Sequence, residues 1–165
     1  MSLEIFVGLG SNLGDREKNL RLGVSRLGEL GQILRLSSIF ETQPWGKEDQ
    51  PDFLNAVCSL DPILCDPEIF FQELKRIERE AGRRSQERWG PRELDLDLLF
   101  WGDEVIATES LSVPHPHLAD RRFVLTPLRQ IAPDLKHPLT GLTVRQMLES
   151  CPDSGRVERQ GDIHI

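Results

Sequence analysis

The chain of 165 residues falls within the size range of one domain, and its 38% hydrophobic and 28% charged residues are typical of a globular protein. Its formal net charge of -7 argues against a general binder of nucleic acids or membrane surfaces. Three scattered cysteines exclude a disulfide framework, and no run of eighteen apolar residues occurs, so we expect a cytoplasmic protein that no membrane anchors.

The first third of the chain predicts a strand, a helix and two further strands. Residues 3–9 form a short apolar run that ends in a glycine turn, as is typical of a buried strand. Asn12 or Asp15 can cap the helix that follows. Residues 32–41 and 53–60 have strand-like compositions, and a loop rich in proline, glycine and charge separates them.

The second predicted helix is the clearest element of the chain. Asp66 can cap it, Pro67 suits its first position, and Gly82 can end it. After an arginine-rich loop, residues 94–101 predict a fourth strand. This order is typical of the ferredoxin-like βαββαβ fold, an α+β arrangement with an antiparallel sheet and helices on one face.

The remainder of the chain predicts an appended C-terminal section of the same domain. Its spacing indicates short helices at about 124–131 and 143–150, among loops that contain several prolines. We expect a single domain over 1–165, with its core at about 3–135 and a tail that is disordered from about residue 152.

The most informative segment is RWGPRELDLDLLF, residues 88–100. On a strand, Asp95 and Asp97 point to the same side, with Cα atoms about 6.6 Å apart. Two neighbouring carboxylates repel each other unless cations join them, and Mg²⁺ typically takes one or two carboxylates together with substrate phosphates. The same D-x-D spacing also fits a strand end whose acids merely face water.

Arginines near this segment favour a phosphate-binding site. Six of the sixteen arginines fall within residues 76–92, and guanidinium groups bind phosphate in a bidentate manner. For Arg76 and Arg79 we favour a solvated helix surface with pairing to nearby glutamates. Arg92, between a turn and the acidic strand, is the stronger candidate for phosphate binding.

Glycines and histidines elsewhere match no established binding motif. Gly8, Gly10 and Gly14 have the spacing G-x-G-x-x-x-G, which is neither a Walker loop nor the dinucleotide fingerprint. They favour tight turns and close backbone approach over a phosphate cradle. His115 and His117 lack the partner spacing of metal ligands and fit surface or capping positions.

Several aromatic residues and one amide form a candidate pocket for a flat heteroaromatic ligand. Such ligands stack between rings, and an asparagine amide matches their donor and acceptor edges. Each ring taken alone is more typical of core packing. The candidates are Trp45, Phe53, Asn55, Trp89 and Phe123.

With these motifs in order, the sequence resembles the 6-hydroxymethyl-7,8-dihydropterin pyrophosphokinase family of folate biosynthesis. The resemblance covers roughly residues 3–135 and is most specific at 88–100. It is supported by GLGSNLGD at 8–15, ETQPWGKEDQPDFLNAV at 41–57 and VPHPHLADRRFVLTPL at 113–128. It implies transfer of pyrophosphate from ATP to the hydroxymethyl group of the reduced pterin, with release of AMP.

The resemblance also implies roles for individual residues, carried over position by position. Two Mg²⁺ ions are implied at Asp95 and Asp97. A pterin pocket is implied at Thr42, Trp45, Phe53, Asn55, Asp95 and Phe123. ATP binding is implied at Trp89, Arg92, Leu111, Ser112, His115 and Arg121. Catalytic roles are implied for Arg83, Arg84, Arg92, Asp95 and Asp97. Phe53 departs from the family, where a tyrosine is often found.

The expected partners are therefore small molecules, ATP and the reduced pterin, and we expect a monomer that binds neither nucleic acid nor membrane. Two other functions fit the residues: a nucleotidyl transferase with the same metal pair, and a non-catalytic ligand-sensing module. The products of the reaction distinguish the first, and the effect of Asp97→Ala distinguishes the second.

Overall fold

The computed structural model describes residues 3–44, 49–82 and 91–164. Within these ranges the strands are β1 Ile5–Ser11, β2 Gly31–Leu36, β3 Ser38–Thr42, β4 Phe53–Pro62, β5 Asp95–Trp101, β6 Ile106–Ala107, β7 Ser112–Val113 and β8 Val157–Asp162. The α-helices are α1 Arg16–Leu30, α2 Pro67–Glu80, α3 Arg122–Ile131 and α4 Val144–Glu149. A short 3-10 turn covers Leu118–Asp120.

An antiparallel sheet forms the centre of the molecule. Its strands lie in the order β5-β1-β4-β3-β8, and β2 also pairs with β4. The predicted α+β class with an antiparallel sheet is confirmed. The strand predicted at 32–41 is divided at Ser37, whose backbone N–H donates to Val57 and whose hydroxyl accepts from the Val57 N–H. Both halves, β2 and β3, therefore pair with β4.

Alternating residues of β1 separate two hydrophobic cores. Ile5, Val7 and Leu9 belong to the core that α1 and α2 cover. Phe6 belongs to the core that α3 and α4 cover. Helices thus lie on both faces of the sheet, and not only on the face predicted for α1 and α2, because the appended section folds back over the opposite side.

The first two helices begin where their capping residues predict. Asp15 caps α1 by accepting from the Lys18 N–H, and Asp66 caps α2 by accepting from two backbone N–H groups. Of the two candidate caps for α1, Asp15 is therefore the cap. Asn12 is instead 2% exposed and has a different role.

The C-terminal residues complete one edge of the sheet. β8 pairs with β3, and Thr42 lies opposite Val157 in the register. The expectation of a disordered tail from about residue 152 is therefore wrong for β8. The polar sequence of β8 does not indicate a strand, but its pairing with β3 makes it one. Among the helices that the structure describes, none is both long enough and apolar enough to cross a membrane.

Candidate active site

The acidic end of β5 opens into a cavity of about 490 Å³. Asp95 and Asp97 are partly exposed there, while the intervening Leu96 is buried in the core beneath α1 and α2. From Leu98 to Trp101 the strand is wholly buried. The strand therefore runs from the cavity into the core, and both carboxylates line the same cavity.

Two glycines of β1, which we call the glycine floor, lie beneath this cavity. In the sheet register Gly10 has Asp95 on one side and Asn55 on the other. Gly8 lies opposite Asp97. A Cβ atom at Gly10 would lie 2.8 Å from Asn55 Oδ1, which is too close for a side chain. Both glycines lie within a strand that pairs on both sides, so the tight turns predicted for Gly8 and Gly10 are wrong, whereas Gly14, with a φ of 75°, lies in a bend ahead of α1.

Beyond the glycine floor, a polar pair and two aromatic rings form the other side of the cavity. Asn55 Nδ2 donates to Thr42 Oγ1 at 2.6 Å, and both side chains are buried. This bond fixes the amide, whose other edge can meet donors and acceptors of a ligand. Phe53 from the start of β4 and Phe123 from α3 also line the cavity.

Around Asp97 the cavity contains opposite charges in close contact. Arg121 Nη1 lies 3.6 Å from Asp97 Oδ2, and the Arg121 side chain is only 6% exposed. Desolvation by burial, followed by the Asp95 carboxylate, raises the pKa of Asp97 to about 7. The Asp95 carboxylate thus opposes ionisation of Asp97, and the nearby guanidinium offsets this only in part.

His115 contributes a neutral imidazole to the same wall. Its Nδ1 accepts from the His117 N–H at 3.2 Å, and its Nε2 lies 4.0 Å from Asp97 Oδ1. Burial, followed by the charge of Arg121, lowers the pKa of His115 to about 4. With Nδ1 occupied as an acceptor, Nε2 carries the proton and offers a hydrogen bond into the cavity.

A buried asparagine connects the phosphate-binding candidate Arg92 with the start of β4. Asn12 Oδ1 accepts from the Arg92 N–H at 2.8 Å, and the Asn12 N–H donates to the Arg92 carbonyl at 3.0 Å. Asn12 Nδ2 donates to Gln50 Oε1 and to the Pro51 carbonyl. The GLGSNLGD segment therefore contributes an interior crosslink between two cavity walls.

Most of the predicted site residues that the structure describes meet in this cavity. The ones that line it are Thr42, Phe53, Asn55, Arg92, Asp95, Asp97, His115, Arg121 and Phe123. Ser112 begins β7 and Leu111 precedes it, and neither is among the described residues that line the cavity. Trp45, Arg83, Arg84 and Trp89 lie outside the described residues.

The cavity also contains residues that sequence reasoning missed. Lys75 of α2 lines it, and its ammonium lies 3.2 Å from Glu78 Oε1 and 5.0 Å from the centre of the Phe71 ring. Glu78 is 1% exposed, and its other oxygen accepts from the Leu96 N–H at 2.7 Å. The sequence signal that could have identified Glu78 is its position on the apolar face of α2, four residues after Leu74.

The two aspartates are the candidate metal ligands, and they do not form a complete protein site. Within residues 3–44, 49–82 and 91–164, no group of three or more His, Cys, Asp or Glu side chains is arranged to hold a metal ion. Mg²⁺ differs from zinc in this respect, because it binds through one or two carboxylates with water and substrate phosphates as further ligands. The donor set of Asp95 and Asp97 fits that chemistry.

Comparisons with known proteins agree with this arrangement. The 2-amino-4-hydroxy-6-hydroxymethyldihydropteridine pyrophosphokinase of Aquifex aeolicus is 41% identical over 135 residues, 82% of this chain and 84% of that protein. The protein of the same name from Pseudomonas aeruginosa is 38% identical over 161 residues, 96% of this chain and 98% of that protein.

A solved structure shows the same fold in a longer chain. The crystal structure of Plasmodium falciparum HPPK-DHPS wild type with pteroate matches with a TM-score of 0.73 at 16% sequence identity, over 90% of this chain and 44% of that chain. This chain thus spans less than half of that protein. A family model described as 7,8-dihydro-6-hydroxymethylpterin-pyrophosphokinase (HPPK) matches residues 6–133, and the chain belongs to this family.

Proposed function

We propose that this protein transfers pyrophosphate from Mg-ATP to the hydroxymethyl group of 6-hydroxymethyl-7,8-dihydropterin and releases AMP, a step of folate biosynthesis. The observation that carries the proposal is the row Asp95, Gly10 and Asn55 across three strands of one sheet. The Asp95 carboxylate and the Asn55 amide flank Gly10 on opposite sides, which supports binding of metal-bound phosphates at Asp95 and of a heteroaromatic ring at Asn55.

For the pterin we propose the side of the cavity formed by Asn55, Thr42, Phe53 and Phe123. A fixed amide pairs with the polar edge of the ring, and the two phenyl rings bind its faces. Phe53 provides ring contact alone, since it lacks the hydroxyl of a tyrosine. From the family resemblance we add Trp45 and Asp95 to this pocket.

For the triphosphate we propose the side formed by Arg92, Arg121 and His115. Both arginines are buried to more than nine-tenths, so their charge acts at low dielectric on a bound phosphate. The neutral His115 donates a hydrogen bond from Nε2 without adding a charge. From the resemblance we add Leu111 and Ser112 at the adenine end, and Trp89, Arg83 and Arg84 around the phosphates.

Asp95 and Asp97 are the residues that would hold the metal, and we propose two Mg²⁺ ions. Support comes from the raised pKa of Asp97, because a carboxylate pair that disfavours its own ionisation gains most from a neighbouring cation. When bound, Mg²⁺ neutralises charge on the phosphate oxygens.

In the proposed reaction the hydroxymethyl oxygen attacks the β-phosphorus in line with the bond to the bridging oxygen. The new O–P bond forms, the bond from the β-phosphorus to the oxygen that bridges the α- and β-phosphates breaks, AMP leaves with that oxygen, and the hydroxyl proton is released to solvent. The chain contributes positioning through Asn55 and the aromatic rings, and charge neutralisation through Arg92 and Arg121. We further propose that the enzyme is a cytoplasmic monomer without nucleic-acid or membrane partners.

The test is to mix the protein with ATP, Mg²⁺ and 6-hydroxymethyl-7,8-dihydropterin and to resolve the products. We expect AMP and the pterin pyrophosphate. Free pyrophosphate with a nucleotide on the pterin would show nucleotidyl transfer instead and would refute the proposal.

Asp97→Ala provides the matched variant, with Asp103→Ala, an exposed acid just after β5, as its control. We expect Asp97→Ala to lower the rate about 10³-fold while the fold persists, and Asp103→Ala to leave it near the wild-type value. Equal rates for the two variants would remove Asp97 from the proposed machinery.

A further inference from the structure

The segment of residues 153–157, which we call the C-terminal brace, contacts both ends of the connection between β3 and β4. The Arg156 N–H donates to Gln43 Oε1 at 3.1 Å, and the Gln43 N–H donates to the Arg156 carbonyl at 3.4 Å. The Arg156 guanidinium lies 2.5 Å from Asp52 Oδ2. One residue of the brace thus contacts residues on both sides of the connection.

These contacts lie next to the cavity. Gln43 lines it directly, and Asp52 immediately precedes Phe53, the ring that we propose to stack on the pterin. Arg16 Nη1 donates to the Asp52 carbonyl at 3.0 Å. Asp52 is therefore held by one arginine at its side chain and by another at its backbone, and loss of Arg156 would leave the backbone contact alone.

The brace also reaches the second aromatic side of the cavity. Asp153 Oδ2 accepts from the Arg122 N–H at 3.2 Å, and Phe123 is the next residue of α3. Asp153 Oδ1 accepts from the Gly155 N–H at 2.8 Å, which makes the segment between the two contacts a compact turn. The brace therefore links the chain beside Phe53 to the chain beside Phe123.

The strand that follows anchors the brace independently of these contacts. Ser38 Oγ donates to Asp162 Oδ1 at 2.6 Å, and Arg159 Nε donates to Ser38 Oγ at 3.1 Å. These bonds join β8 to β3 at the end away from the cavity. The contacts of Arg159 and Asp162 with Ser38 are separate from those of the brace with Gln43 and Asp52. Substitutions in the two sets can therefore distinguish an effect on the attachment of β8 from an effect on the connection between β3 and β4.

We propose that Arg156 is a positioning residue for the pterin half of the site, which sets the placement of Gln43 and Phe53 relative to Phe123. The inference rests on the proposed function for the identity of the ring. It predicts that loss of Arg156 weakens pterin binding and leaves binding of the nucleotide unchanged, because Arg156 contacts Gln43 and Asp52, which adjoin the proposed pterin pocket.

The experiment compares Arg156→Ala with the control Arg159→Ala and the conservative variant Arg156→Lys. For each we would measure the Kd for 6-hydroxymethyl-7,8-dihydropterin by fluorescence titration, the Kd for Mg-ATP, and the Tm. We expect Arg156→Ala to raise the pterin Kd about two- to fivefold, the range of a partly exposed ion pair, with the Mg-ATP Kd unchanged. Arg156→Lys should recover part of this loss because it keeps a cation beside Asp52.

Arg159→Ala should lower the Tm as much as Arg156→Ala does without changing the pterin Kd. Equal pterin Kd values for the two alanine variants would show that the brace acts only through strand stability and would overturn the proposal. If the wild-type protein binds the pterin and forms AMP, and Arg156→Ala has the same pterin Kd as the wild type, this inference alone is overturned. A wild-type protein that does neither would overturn the proposed function as well.

Discussion

Asn12 and Arg92 are joined by two hydrogen bonds in opposite directions, one from each backbone N–H. The first runs from the Arg92 N–H to the Asn12 side-chain oxygen at 2.8 Å, and the second from the Asn12 N–H to the Arg92 carbonyl at 3.0 Å. The side-chain nitrogen of Asn12 donates to Gln50 and Pro51 ahead of β4. Asn12 therefore fixes a phosphate-binding candidate and the approach to the pterin pocket together.

Replacing Asn12 with alanine should destabilise the protein and disturb both halves of the site. The change leaves the buried Arg92 N–H without its acceptor, so we expect a loss of about 2–4 kcal/mol in the free energy of unfolding, measured by urea denaturation. Asn19→Ala is the control, because its bonds to Ser11 and Leu13 lie nearer the surface. A loss at Asn12 no larger than that at Asn19 would contradict the crosslink.

Gly10→Ala should impair pterin binding more than Gly8→Ala does. At Gly10 the new methyl group would lie 2.8 Å from Asn55 Oδ1, whereas at Gly8 it would meet Leu99 at an ordinary 3.6 Å. We expect a rise of about tenfold or more in the pterin Kd for Gly10→Ala and a smaller rise for Gly8→Ala, as measured by fluorescence titration. The opposite ranking would mean that Asn55 does not hold the ring.

Glu78→Ala should lower stability because it removes the acceptor of the Leu96 N–H between the two aspartates. We expect a loss of about 2–4 kcal/mol in urea denaturation, and a smaller loss for Glu78→Gln, whose amide oxygen can still accept. Glu73→Ala serves as the surface control on the same helix, because its partner Arg76 is 43% exposed. Similar losses for Glu78→Ala and Glu73→Ala would argue against a buried role for Glu78.

Metal-free protein should lose stability as pH rises from about 4 to about 7. Burial and Asp95 raise the pKa of Asp97 to about 7, so in this window the folded state binds a proton that the unfolded chain has released. The free energy of unfolding should fall by at least ~1 kcal/mol across the window, relative to Asp97→Asn. Urea titrations in a chelator at several pH values measure this difference, and parallel curves for the two proteins would contradict it.

The acidic centre could be predicted from the sequence because its signal is local. A strand has a period of two, so Asp95 and Asp97 share a face whatever the strand pairs with, and the apolar residues after them mark the direction of the core. The chemistry of Phe53, Asn55 and Phe123 made them candidates for a heteroaromatic pocket, but each ring alone is more typical of a core, and their specific roles at the pterin came from the family resemblance. Their meeting in one cavity needed the structure.

Other parts of the site depend on which strands become neighbours, and this is a tertiary property. The role of Gly8 and Gly10 as the glycine floor depends on the position of β1 between β4 and β5. Their spacing alone indicated turns instead. Lys75 and Glu78 reach the site because one face of α2 is buried against β5. β8 is polar along most of its length, and its partner β3 lies more than a hundred residues earlier, so no local pattern marked it as a strand.

In the proposed function, the glycine floor also fixes the distance between the two ends of the substrate site. Asn55 and Asp95 are separated by two strand spacings, about 9.6 Å, which backbone hydrogen bonds set and side-chain substitution leaves unchanged. A pterin analogue with one more methylene between its ring and its hydroxyl would carry the oxygen about 1.5 Å past the carboxylates. On the proposed roles of Asn55 and Asp95, the pairing of the strands therefore limits the length of the substrate.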